Sequence, residues 1–175
     1  MTRITRITGV LAIAALLAAG RSAELGAAPP APDPSPEVKA QIERGDLLFE
    51  EGRRIAARRA YQKAAEIARE EGALPEPAVR RLANAHYFDG QFRRAAKALD
   101  RLADEAALHG DLPVQAWALA DAAWLYGRAG DETSVKIRLE AVERLLASPY
   151  MPEAVRDRIA KTRLGESAEE LMSRR

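Results

Sequence analysis

The chain has 175 residues, 47% of them hydrophobic and 30% charged, which is typical of a soluble helical protein with one domain. The absence of cysteine excludes disulfides, thiolate metal sites and cysteine nucleophiles. Without residues 1–20 the chain carries 25 basic and 26 acidic residues, so its charge is nearly balanced. Such a balance provides no bulk attraction for nucleic acid or anionic lipid, and we expect neither as a partner.

Residues 1–20 have the features of a cleaved signal peptide. Arg3 and Arg6 form a basic start, and the 13 apolar residues that follow are too few to span a membrane. The small residues at the end of this segment predict cleavage before Arg21, with a cut after Ala27 as the second possibility. We therefore expect a periplasmic or secreted protein. In the alternative, an uncleaved N-terminus tethers the chain to the inner membrane and is its only membrane contact.

Residues 21–36 form a proline-rich linker. Five prolines between positions 29 and 36 favour extended polyproline II and oppose a helix. The segment is either a spacer or a disordered mature N-terminus. A helical domain over residues 37–165 is expected next, followed at 166–175 by a short final helix or a frayed tail.

Helical periodicity predicts the elements of this domain in turn. Ser35 is the expected N-cap of the first helix, with Pro36 at its first position, and the helix ends before Gly52. Asp131 is the expected N-cap of the sixth helix. The five helices after the first are expected to end near residues 71, 88, 109, 129 and 147.

A seventh, capping helix is predicted within residues 152–165. Its apolar residues Val155, Ile159 and Leu164 are expected to face the core, and Arg156 and Arg158 are expected to face water. A sparse apolar face of this kind is typical of a helix that covers the exposed end of a repeat array.

The first six helices form a sequence repeat. Gly52, Gly90 and Gly130 lie 38 and 40 residues apart at corresponding turns. Gly72 and Gly110 each follow the preceding turn glycine by 20 residues and begin a Gly-x-Leu-Pro string. Glycine can adopt the left-handed conformation that ends a helix, and proline is tolerated in the first turn of the next one. A period of this length, built from paired helices, is typical of an α-solenoid.

The pattern resembles the tetratricopeptide repeat family. It reads Gly45, Leu48, Gly52, Ala57 and Tyr61, then Ala83, His86, Gly90, Ala95 and Leu99, then Ala123, Tyr126, Gly130, Val135 and Leu139. The repeats are longer than the usual 34 residues of the family, the proline comes later, and Val135 replaces a small residue. The resemblance implies an all-α solenoid of about three hairpins whose first helices line a concave groove.

No catalytic constellation is present in the sequence. His86 and His109 are the only histidines and lie on different predicted helices. The paired acidic residues are consecutive, so on a helix they point in different directions and cannot act together. There is also no glycine-rich phosphate loop and no Ser/His/Asp cluster. We therefore expect no enzyme, no metal site and no cofactor.

The resemblance places several aromatic and polar side chains in the groove. These are Phe49, Arg80, Asn84, Tyr87, Phe88, Trp117, Trp124 and Arg128, together with Ile42 and Asp46. Aromatic residues and arginine are favoured at interface hot spots. The two tryptophans, seven residues apart on one helix face, either line the groove or fill the core.

Arg80 and Asn84 match part of the pattern by which some family members hold a peptide carboxylate. Asp121 stands where a further asparagine is expected, and its charge would oppose a ligand anion. The sequence thus predicts an exported scaffold that binds another protein or peptide. The alternative is a structural subunit or assembly factor embedded in a cell-envelope complex.

Overall fold

A computed structural model describes residues 33–159, and this part of the chain is entirely helical, with no strand. The predicted all-α class is confirmed. The helices are α1 (Pro36–Glu50), α2 (Arg54–Glu70), α3 (Glu76–Phe88), α4 (Phe92–His109), α5 (Leu112–Arg128), α6 (Glu132–Leu146) and α7 (Glu153–Ile159).

The helix ends follow the capping chemistry of the sequence. The Ser35 hydroxyl accepts a hydrogen bond from the Val38 amide at 3.3 Å, and the Asp131 carboxylate accepts one from the Ser134 amide at 3.1 Å. Both predicted N-caps are confirmed. Gly110 ends α4 with φ 71°, a left-handed conformation in which a side chain would be strained.

Each helix packs mainly against the helices that precede and follow it in the chain, and α5 also contacts α7. The core between neighbouring helices is rich in alanine. Ala57, Ala95 and Ala123 are all at most 1% exposed, as expected of the small repeat positions. Because alanine adds little bulk, two helix backbones can approach closely wherever it lies at the crossing.

Gly45 allows the closest of these approaches. The ring of Tyr61 on α2 covers its Cα, and a Cβ added at Gly45 would lie 2.6 Å from Tyr61 Cδ1. The Tyr61 hydroxyl donates to Asp46 Oδ1 at 2.8 Å, and Arg81 Nε on α3 donates to the same oxygen at 2.9 Å. Burial and the bond to Asp46 raise the pKa of Tyr61 well above its ordinary value. This network connects α1, α2 and α3.

The beginning of the predicted capping helix is present as α7. Ile159 is fully buried there and Val155 is half-buried, as expected. The prediction for Arg156 is wrong, since Arg156 is half-buried and its Nη2 donates to Ser148 O at 3.2 Å and Met151 O at 3.4 Å. These carbonyls lie in the turn between α6 and α7, so Arg156 fastens the last helix to that turn.

Three predicted segments lie outside the described residues. They are the signal peptide, nearly all of the linker, and the chain beyond 159, which includes Leu164 and the final helix at 166–175. Among residues 33–159, no helix has both the length and the apolar character needed to cross a membrane.

Candidate functional site

Five aromatic rings form a continuous row, here called the aromatic ladder: Phe49, Tyr87, Phe88, Phe92 and Trp124. The Phe88 ring centroid lies 5.5 Å from that of Phe49 and 5.5 Å from that of Tyr87. Tyr87 in turn lies 5.6 Å from Phe92 and 5.4 Å from Trp124. All four distances fall in the range of favourable ring pairs, so the ladder is one packed surface across α1, α3, α4 and α5.

The turn between α3 and α4 brings two parts of the ladder together. Gly90 has φ 68°, and its amide donates to Tyr87 O at 2.9 Å while the Gln91 amide donates to His86 O at 2.9 Å. This tight reversal ends α3 at Phe88 and begins α4 at Phe92. The last rings of one helix therefore lie beside the first ring of the next.

The ladder is partly surface and partly core. Phe88 is 56% exposed, whereas the other four rings are half-buried. Tyr87, Phe92 and Trp124 pack on their inner side against the main hydrophobic core. Since the core fixes their positions, these rings could contact a partner without losing much conformational entropy.

An arginine lies at each end of the ladder. The Arg128 guanidinium carbon is 5.5 Å from the Phe92 ring centroid and 6.0 Å from that of Trp124. At the other end, the Arg54 guanidinium carbon is 6.0 Å from the Phe49 centroid. Both distances allow a cation–π attraction, which keeps each charge close to the rings.

Arg54 and Arg58 also hold the turn on which Phe88 lies. Arg54 Nη1 donates to Phe88 O at 3.1 Å and to Asp89 Oδ1 at 2.9 Å, and Arg58 Nη1 pairs with Asp89 Oδ2. The hydrogen bond from Arg54, with further help from Arg58, lowers the pKa of Asp89 below its ordinary value of 3.8. The start of α2 is thereby tied to the end of α3.

Arg80 and Asn84 lie on α3 but outside the ladder. Arg80 Nε donates to Glu76 Oε1 at 2.8 Å, and its Nη1 donates to Asp121 Oδ2 at 3.0 Å. Asn84 is exposed one turn before Phe88. A ligand carboxylate would have to displace Asp121 to reach Arg80, so the ion pair works against the carboxylate-holding interpretation.

The two tryptophans belong to different surroundings. Trp117 is half-buried and packs in a separate cluster that includes Val142, Met151 and Ile159. Trp124 packs in the ladder and against the main core. Seven residues of helix span about 10 Å, so a shared helix face does not place both rings at one site.

Sequence reasoning missed two members of this site. Phe92 was assigned to the helical core pattern, and Arg54 was not singled out. Each stands two residues after a turn glycine, Gly90 and Gly52 respectively. A residue at that position lies next to the end of the preceding helix, and this spacing is the signal that could have identified both.

His86 has a structural environment. Its Nδ1 lies 2.8 Å from Gln91 Oε1, and burial lowers its pKa from the ordinary value of 6.5. Within residues 33–159, no group of three histidine, aspartate or glutamate side chains is placed to hold a metal ion.

Comparisons with protein-family models, with curated proteins and with solved structures give no match to this chain. The functional argument therefore rests on the residues and their geometry.

Proposed function

We propose that residues 37–165 form a tetratricopeptide-like repeat scaffold that binds another protein or peptide through the aromatic ladder. The sequence period and the packing of each helix on its chain neighbours support the repeat architecture. In this architecture the first helices of the hairpins line the concave face. Four of the five ladder rings lie on such helices, namely Phe49 on α1, Tyr87 and Phe88 on α3, and Trp124 on α5.

The continuity of the ladder is the observation that carries this proposal. Large rings from three hairpins contact one another at the surface, with Arg128 exposed beside them. Aromatic residues and arginine contribute most of the energy at protein interfaces. A single exposed ring needs no explanation, whereas a contiguous row flanked by arginines is typical of a binding surface.

We also propose that the chain is exported and acts without catalysis. The order of basic, apolar and small residues in 1–20 supports export. N-terminal sequencing of the mature protein is expected to begin near Arg21 or Ala28. Intact Met1 in a soluble cytosolic fraction would contradict this.

Binding can be tested by selection from random displayed dodecapeptides. The full chain is expected to enrich a restricted set of peptides. The contact can be located by placing a photoreactive benzoylphenylalanine at Asn84, which is exposed one turn from Phe88, and at the equally exposed Arg144 on α6 as a control. Cross-linking at position 84 alone supports the proposal.

Two outcomes would contradict it. Cross-linking at position 144 but not at 84 would place the binding surface elsewhere. Failure to enrich any peptide would favour the structural-subunit alternative, in which the repeats fill space between permanent partners.

A further inference from the structure

Beside the ladder lies an open groove of about 700 Å³ that is lined mostly by arginine, here called the arginine groove. Its charged residues are Arg53, Arg54, Arg58, Arg59 and Asp89. Four cations thus face one carboxylate. We propose that this groove makes the ligand of the aromatic ladder an acidic polypeptide segment, an inference that rests on the proposed function and names the chemistry of the partner.

The groove and the ladder are continuous surfaces. Arg54 lines the groove, and the same side chain lies over the Phe49 ring and bonds the carbonyl of Phe88. Gln91, the residue before Phe92, also lines the groove. An extended peptide lying on the ladder would therefore reach the groove within a few residues.

The cations divide into two pairs with different roles. Arg54 and Arg58 hold Asp89 and so build the floor of the groove. Arg53 pairs only with Glu51, at 3.2 Å, and both side chains are more than half exposed. Arg59 is exposed and has no ion-pair partner among residues 33–159. Since an exposed ion pair is worth little, a ligand carboxylate could replace Glu51 on Arg53 at small cost.

The site favours a peptide over nucleic acid or an anionic membrane. The ladder rings cover part of one another's faces, which leaves less ring surface for a base to stack on. Glu50 and Glu51 are exposed at the end of α1, next to the groove, and would repel a continuous row of phosphates. A peptide carries separate charges and apolar side chains. Ile55, which is 64% exposed and lines the groove, offers those side chains a contact.

The inference is tested on dodecapeptides enriched by the full chain, with the wild type compared to a double variant, Arg53→Glu with Arg59→Glu. These two arginines hold no part of the fold together, so the variant should melt like the wild type. The matched control is Arg44→Glu with Arg144→Glu, two exposed arginines that do not line the groove.

We expect the enriched peptides to contain more aspartate and glutamate than the starting library. Their affinity for the groove variant should fall roughly tenfold, mainly through slower association, and should lose most of its dependence on salt. The control variant should bind like the wild type.

Enriched peptides without an acidic excess that still cross-link at position 84 would overturn this inference and leave the proposed function standing. Absence of any enriched peptide would overturn both. Two further probes are a labelled single-stranded RNA dodecamer and phosphatidylserine vesicles. Binding of either that the groove variant weakens, while peptide binding does not change, would assign the groove to that class of ligand and overturn the inference.

Discussion

Replacing Gly45 with alanine would place a methyl group against the ring of Tyr61. The added Cβ would lie 2.6 Å from Tyr61 Cδ1 and 3.0 Å from Cζ, well inside normal contact distance. The ring is only 2% exposed, and its hydroxyl is hydrogen-bonded to Asp46, so it has little room to move away. The helices α1 and α2 would have to separate to admit the methyl group.

Two opposing effects determine the size of the change. Overpacking of a well-packed core costs about 1–3 kcal/mol. Alanine in a helix interior is about 0.5–1 kcal/mol more favourable than glycine. Because the ring is held in place, we expect the first effect to dominate and the free energy of unfolding to fall by about 1–2 kcal/mol, or roughly 3–8 °C in Tm.

Thermal and urea unfolding followed by circular dichroism would measure this loss. Arg44→Ala, at an exposed position of the same helix, is the matched control and should change stability by less than about 0.5 kcal/mol. In a Tyr61→Leu background, Gly45→Ala should no longer destabilise the protein, since the ring that it meets is gone. A Gly45→Ala variant as stable as the wild type would refute the proposed contact between α1 and α2.

Three further predictions concern packing, charge and the ladder. Ala95→Leu should cost about 1–3 kcal/mol because Ala95 is fully buried, whereas exposed Arg94→Leu should not; equal melting temperatures would contradict the assigned helix faces. Because its arginine partners lower the pKa of Asp89 below 3.8, the carboxylate adds stability above that pH and loses it as the pH falls through the folded-state pKa. Asp89→Asn should therefore be less stable than the wild type by urea unfolding at pH 7, and the difference should shrink in acid; a constant difference would refute the charge argument. Trp124→Ala should cost about 1–3 kcal/mol, since the ring is only half-buried, and should also weaken peptide binding; a loss above about 4 kcal/mol would assign Trp124 to the core alone.

The helices were predictable because their signals are local. Ser35, Asp131 and Gly110 each act within a few residues through capping or a left-handed turn, so the sequence alone locates the ends that they form. Arg156 shows the limit of this reasoning. Its periodicity places it toward water, but the carbonyls that accept its hydrogen bonds belong to a turn whose path depends on tertiary packing.

The candidate site was predictable in its residue types and only partly in its membership. The repeat pattern correctly brings Phe49, Phe88 and Trp124 into one row, since equivalent positions of successive hairpins lie side by side. It cannot show that Arg80 is paired with Asp121, because that ion pair depends on the distance between two helices. Trp117 leaves the row for a related reason, since α7 and the end of α6 pack around it.

The central claim, that the ladder is the binding surface, is tested most directly at Phe88, its most exposed ring. The measurement is the Kd of an enriched, fluorescently labelled dodecapeptide for the Phe88→Ala variant, with Tyr150→Ala as a control at another exposed aromatic residue. If the ladder binds the peptide, Phe88→Ala should raise the Kd by about thirtyfold, which corresponds to about 2 kcal/mol, with a nearly unchanged Tm. Equal affinity of the wild type, Phe88→Ala and Tyr150→Ala would contradict the claim.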